Sequence, residues 1–242
     1  MEKYEASKSS ISEDLDIVNR MFEHEGIGRL NRLSGAHGGT EYIPHFDLDT
    51  SKTFLHQVCK QLEDPQRILP GGYVYMSDLL GNPEFVREVG KAFVTAFANQ
   101  EIDAVVTVET KGIPIAYAIG QLLNVPVVII RRNLKVTEGS SVSINYVSGR
   151  SQRIQTMVLP KRHLKQGMNV CIVDDFMQAG GTITGMISLL EEFEAKVVAI
   201  GVLAEVADEE NRVIDDYTSL IRLKNVRMGA QTLSAQLGSF DD

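Results

Sequence analysis

The spacing of apolar residues predicts a helix and a hairpin near the start of the chain. Between Ile11 and Phe22, apolar residues recur at intervals of 4, 3 and 4, which is typical of one face of a helix. Ser9 and Ser10 carry hydroxyls suited to capping this helix, and acids are expected in its first turn. The next glycine along the chain is expected to end the helix. Residues 27–46 place glycines between two short apolar runs, which predicts a β-hairpin with a glycine-rich tip.

A capped helix followed by such a hairpin forms the second half of a winged helix-turn-helix, whose helix enters the DNA major groove. Residues 1–64 are therefore interpreted as a partial winged-helix DNA-binding domain that lacks its first helices. The candidate DNA contacts are Lys8, Ser9, Ser10, Arg29 and Arg32. This segment has a net charge of −5, and a helix and hairpin without a DNA role remains the alternative.

Further along the chain, the pattern changes to alternating helices and buried strands. Residues 51–63 predict a short amphipathic helix, and residues 65–72, rich in Pro and Gly, predict a linker between a domain at 1–64 and a domain at 65–242. Apolar runs suited to buried parallel strands cover 102–108, 125–130, 170–173 and 197–203, and helical patterns cover 82–99, 114–123 and 181–193. This alternation predicts an α/β domain with a parallel sheet flanked by helices.

The third predicted strand ends in residues suited to a sugar phosphate. Asp174 and Asp175 stand at its carboxyl end, where open α/β sheets bind their ligands. Gly180 and Gly181 then lead into a helix, so that backbone N–H groups and the helix N-terminus can receive a phosphate, and Thr182 adds a hydroxyl. The acids suit ribose hydroxyls. A strand, loop and helix of the same type without a ligand is the alternative.

Two further segments agree with an anion site. Lys111 and Gly112 lie between a predicted strand and a predicted helix, where a basic side chain and backbone amides can hold a phosphate group. Residues 135–155 are polar and contain several glycines, which predicts a long loop, with an exposed hairpin as the alternative.

Composition and charge narrow the function classes. The chain has 242 residues, is 43% apolar and carries a net charge of −8, yet residues 111–165 hold nine basic residues against one acid. A segment of charge +8 in an acidic protein indicates a polyanion or a phosphorylated ligand, and a solvated basic face is the alternative. The candidate anion or DNA surface consists of Arg131, Arg132, Lys135, Arg150 and Arg153.

Two separated cysteines disfavour a disulfide scaffold and a structural metal site. The chain lacks an apolar run long enough for a membrane helix and lacks a secretory leader, so a cytoplasmic protein with no membrane partner is expected.

The segment 170–182 resembles the signature of type I phosphoribosyltransferases, which bind 5-phosphoribosyl-1-pyrophosphate (PRPP). The resemblance implies that Asp174 and Asp175 hold the ribose hydroxyls, that Ala179, Gly180, Gly181 and Thr182 cradle the 5-phosphate, and that Lys111 and Gly112 hold the pyrophosphate. These enzymes usually carry a hydroxyl residue where this chain has Ala179. One phosphate contact is therefore lost, worth about 0.5–1.5 kcal/mol, and the departure puts catalysis in doubt.

Together with the winged-helix remnant, these motifs resemble the purine operon repressors of Gram-positive bacteria. The resemblance implies a cytoplasmic homodimer that binds double-stranded DNA in purine gene control regions and is released by PRPP. It implies no catalysis, no resident metal and no required cofactor, with Mg²⁺ a candidate companion of PRPP. A catalytic purine phosphoribosyltransferase is the alternative function, and another phosphorylated nucleotide, such as a guanosine alarmone, is the alternative ligand.

Overall fold

A computed structural model describes residues 7–35, 38–69, 73–133, 139–147, 154–207, 211–224 and 232–241. The first helix, α1 (Lys8–His24), is capped by Ser7, whose Oγ accepts the backbone N–H of Ser10 at 3.1 Å. The prediction that Ser9 or Ser10 caps this helix is therefore wrong, because Ser7 has the extended backbone that a cap requires. The expected acids in the first turn are also missing, since the helix begins earlier than predicted.

The predicted hairpin is confirmed as an antiparallel pair, β1 (Arg29–Leu33) and β2 (Gly39–Ile43). It lies against α1: the Leu30 N–H donates to Asn19 Oδ1 at 2.6 Å, and the rings of Phe22 and Tyr42 are 4.9 Å apart. Helix and hairpin thus form one unit, as a helix-and-wing arrangement requires.

The next helix, α2 (Leu48–Leu62), begins three residues earlier than predicted, because Asp47 accepts the Thr50 N–H at 2.9 Å and caps it. Its buried residues Leu55, Val58 and Leu62 join the core cluster that also contains residues of the later sheet. The division at residue 64 stays a prediction, yet this helix buries its apolar face against the elements that follow that division.

The predicted linker at 65–72 is, over its described part, a folded segment. A 3-10 turn (Pro65–Arg67) leads into β3 (Ile68–Leu69), which pairs antiparallel with β4 (Tyr73–Val74). Pro65 misled the prediction, because a proline also suits the first position of a helical turn within a domain.

The main sheet has six strands: β5 (Ala104–Val108), β6 (Val127–Ile130), β9 (Asn169–Met177), β10 (Lys196–Val206), β11 (Thr218–Lys224) and β12 (Ser234–Leu237). Their order across the sheet is β12, β11, β10, β9, β5, β6, and all are parallel except β12. The four predicted strands are confirmed, and the predicted α/β class with a parallel sheet is correct.

Helices cover both faces of this sheet. They are α3 (Ser77–Leu80), α4 (Pro83–Ala96), α5 (Gly112–Leu123) and α6 (Gly181–Glu191), with further 3-10 turns at Lys161–His163 and Ser239–Asp241. Val105 packs into the cluster that contains α4 and α5, whereas its neighbour Val106 packs into the cluster that contains α6. Successive strand residues point to opposite faces, so a strand covered on both sides must be apolar throughout.

The polar segment predicted as a long loop contains a second hairpin, β7 (Ser141–Val147) paired antiparallel with β8 (Ile154–Pro160). The loop prediction is wrong for these residues, and the alternative of a hairpin is correct. The Tyr146 ring lies directly on Gly185 of α6, where an added Cβ would come within 2.9 Å of it. Lys135, Arg150 and Arg153 lie outside the described residues.

Candidate functional site

A cleft of about 640 Å³ opens at the carboxyl ends of β5 and β9. The chain runs from β5 outward to β6 and then returns to the other side of β5 as β9, so the direction of strand order reverses between β5 and β9. Ligands of open α/β sheets bind at such a reversal. The cleft is lined by Leu69, Tyr73, Val74, Met76, Val108, Glu109, Thr110, Lys111, Arg132, Asp174, Asp175, Phe176 and Thr182.

The two acids lie within β9 rather than after it. Asp174 is 7% exposed and accepts the Asp175 backbone N–H at 2.9 Å, while Asp175 is half-buried beside it. Burial raises the pKa of Asp174, and the negative charge of Asp175 raises it further. Burial also raises the pKa of Asp175, although Asp174 and the Lys111 charge oppose the rise. Two crowded carboxyls at a cleft are suited to accept hydrogen bonds from ligand hydroxyls.

The loop between β5 and α5 brings a cation to the same cleft. Lys111 is exposed at the start of α5, next to a cis peptide bond between Glu109 and Thr110. Gly112 lies against the acids: a Cβ there would be 2.2 Å from Thr107 Oγ1 and 3.2 Å from Asp174 Oδ1. Only glycine lets this loop approach β9 so closely.

Arg131 and Arg132, which follow β6, have different surroundings. Arg132 is exposed and lines the cleft, and its backbone N–H donates to Glu109 Oε1 at 2.7 Å. The Arg131 guanidinium lies 3.6 Å from Glu109 Oε2, and its backbone pairs with Val158 of β8. Of this predicted pair, Arg132 lines the cleft, whereas Arg131 pairs with an acid beside it.

The predicted phosphate loop joins β9 to α6 beside the cleft. Gly180 has φ +91°, in the left-handed region that favours glycine, and it precedes the first turn of α6. Thr182 lines the cleft. Ala179 and Gly181 line a neighbouring cavity of about 510 Å³ between α6 and β7. Of the residues predicted to cradle a phosphate, Thr182 therefore reaches the cleft with the acids, while Ala179 and Gly181 line the neighbouring cavity at the start of an eleven-residue helix.

The candidate DNA contacts fall into two groups. Lys8, Ser9 and Ser10 are exposed on the first turn of α1. Arg32 instead bonds to Asp16 and to the Ser12 carbonyl at 3.3 Å on α1. Arg29 donates to the Ala98 carbonyl at 3.1 Å, just beyond α4. In this structure both arginines hold the wing in place, and their contact with DNA stays a prediction.

Two features escaped the sequence patterns. An apolar wall faces the acids, formed by Leu69, Tyr73, Val74, Met76 and Phe176. Glu205 is fully buried on β10 and bonds to Arg212, Arg222, Tyr217 and Ser219. The signal for the second feature was a single acid inside an otherwise apolar strand, because a charge there must be paired.

Among the described residues, no group of three His, Cys, Asp or Glu side chains is arranged to hold a metal ion. None of the described helices is long and apolar enough to cross a membrane.

Comparison with known proteins divides the chain into two matched regions. Residues 1–44 match the family model of the bacterial purine repressor N-terminal domain, and residues 76–232 match that of the phosphoribosyl transferase domain. Over 239 residues the chain is 54% identical to the purine biosynthesis transcriptional repressor PurR of Bacillus subtilis (strain 168), covering 99% of this chain and 84% of that one.

It is 42% identical to the purine biosynthesis transcriptional activator PurR of Lactococcus lactis (strain IL1403), covering 99% of this chain and 89% of the relative. Among solved structures, an adenine phosphoribosyltransferase from Thermoanaerobacter pseudethanolicus superposes with a TM-score of 0.61 at 21% identity. The match covers 69% of this chain and 99% of that one, which shows the shared fold.

Proposed function

Since the chain belongs to the family of bacterial purine biosynthesis transcriptional regulators, we propose that it binds purine gene control DNA as a repressor that PRPP releases. One relative is named a repressor and another an activator, and the repressor is the more similar of these two. A regulator of chromosomal genes acts in the cytoplasm, and we assign the protein there.

The effector proposal rests on one observation: hydrogen-bond acceptors, positive charges and hydrogen-bond donors lie at the same cleft. Asp175 offers hydroxyl acceptors, Lys111 and Arg132 offer positive charge, and the start of α6 with Thr182 offers N–H and hydroxyl donors. PRPP presents ribose hydroxyls between a 5-phosphate and a pyrophosphate. Its hydroxyls suit the acceptors of the cleft, and its two phosphate ends suit the cations and the donors. This match supports PRPP over a ligand with a single phosphate.

In the proposed complex, Asp175 accepts hydrogen bonds from the ribose hydroxyls and the buried Asp174 supports it from behind. The backbone of Ala179–Thr182 at the start of α6 receives the 5-phosphate, while Lys111 and the close-packed Gly112 hold the pyrophosphate. Mg²⁺ would accompany the ligand and neutralise part of its charge. A guanosine alarmone also carries a diphosphate, so it is expected to compete with PRPP.

We further propose that the cleft senses PRPP without turning it over, and that the protein acts as a homodimer. Ala179 stands where catalytic relatives carry a hydroxyl, and this supports sensing. The alternative, a purine phosphoribosyltransferase, is favoured by the retained acids and Lys111. Pyrophosphate release from PRPP in the presence of each purine base tests that alternative, and multiple turnovers would support it.

The experiment that tests the regulator is fluorescence anisotropy with purine gene control DNA and a scrambled duplex, at fixed salt, with and without magnesium-PRPP. The control DNA is expected to bind more tightly than the scrambled DNA, and PRPP is expected to release it. Asp175→Asn should bind the DNA normally and ignore PRPP. Equal affinity for both duplexes would overturn the regulator, and DNA binding that PRPP does not change would overturn the effector.

A further inference from the structure

A buried ionic cluster lies beside the phosphate loop. Glu205 on β10 pairs in register with Met177, the last residue of β9 before that loop. Its side chain is fully buried, with Oε1 accepting Ser219 Oγ at 2.7 Å and Arg222 Nε at 2.9 Å. The other oxygen accepts from Arg212 and from the Tyr217 hydroxyl. Both carboxylate oxygens are therefore bonded, as a buried charge requires.

The cluster is built around an ionised carboxylate. Burial works against ionisation, but the hydrogen bonds from Tyr217, Ser219 and the two arginines outweigh it, so the pKa of Glu205 lies below its usual value. Burial and the adjacent carboxylate together raise the pKa of Tyr217 to about 12. At neutral pH, Tyr217 is therefore a donor and Glu205 an acceptor, and the cluster keeps one arrangement.

Arg212 connects this cluster to the phosphate loop. Its guanidinium bonds to Glu205, to the Tyr217 hydroxyl and to the Val206 carbonyl. The next residue, Val213, donates its backbone N–H to the Ala179 carbonyl at 2.9 Å. Ile214 then lies over Gly180, where an added Cβ would come within 2.6 Å of its Cγ2. The fixed arginine thus begins a short segment whose next two residues cover the loop.

The loop benefits from such support because Gly180 does not by itself fix the backbone conformation. Gly180 has φ +91°, and glycine reaches many other conformations at little cost. A site that receives phosphate through backbone N–H groups must hold them in place before the ligand arrives, or binding pays for ordering them. No hydroxyl side chain at Ala179 helps to hold the phosphate.

We propose that Arg212 is a positioning residue for effector binding: anchored on Glu205, it holds Val213 and Ile214 against Ala179 and Gly180, and so sets the shape of the 5-phosphate site. This rests on the proposed function, in which that loop receives the 5-phosphate of PRPP. Lys111 and Gly112, which are proposed to hold the pyrophosphate, lie on the separate loop between β5 and α5. The two ends of the ligand can therefore be tested separately.

The test compares two probes, ribose 5-phosphate and inorganic pyrophosphate, by isothermal titration calorimetry on the whole chain. Arg212→Met removes the anchor, and Ile214→Ala removes the contact with Gly180 while leaving the ionic cluster intact. We expect both variants to bind ribose 5-phosphate about tenfold more weakly, the equivalent of one lost hydrogen bond to a charged group. Their affinity for pyrophosphate should stay within about twofold of the unmodified chain.

Arg222→Met is the matched control, because it removes a guanidinium from the same carboxylate, and Arg222 lies on β11 rather than in the segment that covers the loop. It is expected to lower the stability and to leave both affinities unchanged. If Arg212→Met does not fold, Ile214→Ala decides the question. Unchanged ribose 5-phosphate binding in the folded variants, or an equal loss for both probes, overturns the proposal. If the unmodified chain binds pyrophosphate but not ribose 5-phosphate, the PRPP site itself is refuted, and this proposal with it.

Discussion

Replacing Gly112 with alanine should disturb both the fold and the loop that we propose holds the pyrophosphate. The new Cβ would lie 2.2 Å from Thr107 Oγ1 and 3.3 Å from Asp174 Cα. Thr107 is fully buried in β5, and Asp174 Cα belongs to the backbone of β9, so neither can move without disturbing the sheet. The helix start must therefore shift away from β9 and carry Lys111 with it.

The size of the effect follows from two opposing contributions. Overpacking a close-packed site typically costs about 1–3 kcal/mol, whereas alanine is up to about 1 kcal/mol better than glycine in a helix. We expect the free energy of unfolding to fall by about 1–2 kcal/mol. Pyrophosphate affinity should fall about tenfold if one charge-assisted contact is lost.

Urea unfolding and calorimetry with pyrophosphate measure the two effects, and a second substitution tests their cause. Thr107→Ala removes the Oγ1 that the new Cβ would meet, so Gly112→Ala should cost about 1 kcal/mol less in that background. Thr107→Val keeps an atom at that place and is the control that should give no relief. Additive effects in the Thr107→Ala background, or equal relief from Thr107→Val, would refute the steric argument.

Three further predictions concern charge and backbone. Asp175→Asn should raise the free energy of unfolding at pH 7 by about 0.5–2 kcal/mol, because burial raises the pKa of this carboxyl and its ionisation opposes folding. The gain should vanish as the pH falls and the carboxyl of the unmodified chain takes up its proton, and a destabilised variant at pH 7 would contradict this. Arg67 donates two hydrogen bonds of 2.8 Å to Asp78 and so holds the pKa of that carboxyl below its usual value. The pair therefore stabilises the fold at pH values above the carboxyl's pKa in the unfolded chain. This stabilisation is lost as the pH falls through the lowered pKa of the carboxyl in the folded chain. Asp78→Asn should therefore be less stable at pH 7 but equal to the unmodified chain at about pH 2, and a gap that persists in acid would count against the pair. Gly180→Ala should lose about 1–2 kcal/mol from its φ of +91° alone, and thermal unfolding without a shift would refute that strain.

The central strands could be predicted because both of their faces are covered by other parts of the protein. Parallel strands covered on both faces are largely apolar on both, and this was the pattern of the four predicted strands, although the first also contains Asp103 and Thr107. The end of β9 was predicted too early, because Asp174 and Asp175 look like the start of a loop. In the structure the ladder continues past them, with Asp174 opposite Val202 and Phe176 opposite Ala204. Backbone pairing does not depend on side-chain polarity.

The site could be predicted only where chain topology brings strand ends together. Asp175, Lys111 and Thr182 lie at or beyond the carboxyl ends of strands that share one edge of the sheet, so local motifs sufficed to place them in one cleft. The contact between Arg212 and Glu205 could not be predicted in this way. It joins a loop residue to a neighbouring strand through side chains alone, and its geometry follows from how β10 and β11 pack.

Charge distribution constrains how PRPP can act on DNA binding. Residues 1–64 carry a net charge of −5, so taken together they supply no net attraction to the phosphates that dominate DNA affinity. The basic segment 111–165, with a charge of +8, is the part of the chain able to supply it, and Lys111 and Arg132 stand at the cleft. Charges are screened over about 10 Å at 0.1 M salt, so a bound pyrophosphate weakens DNA binding by charge only if the DNA passes close to the cleft. We therefore propose that the unit with α1 and the wing reads the DNA while the effector domain holds it, and that PRPP acts by occupying the cations that the DNA would use.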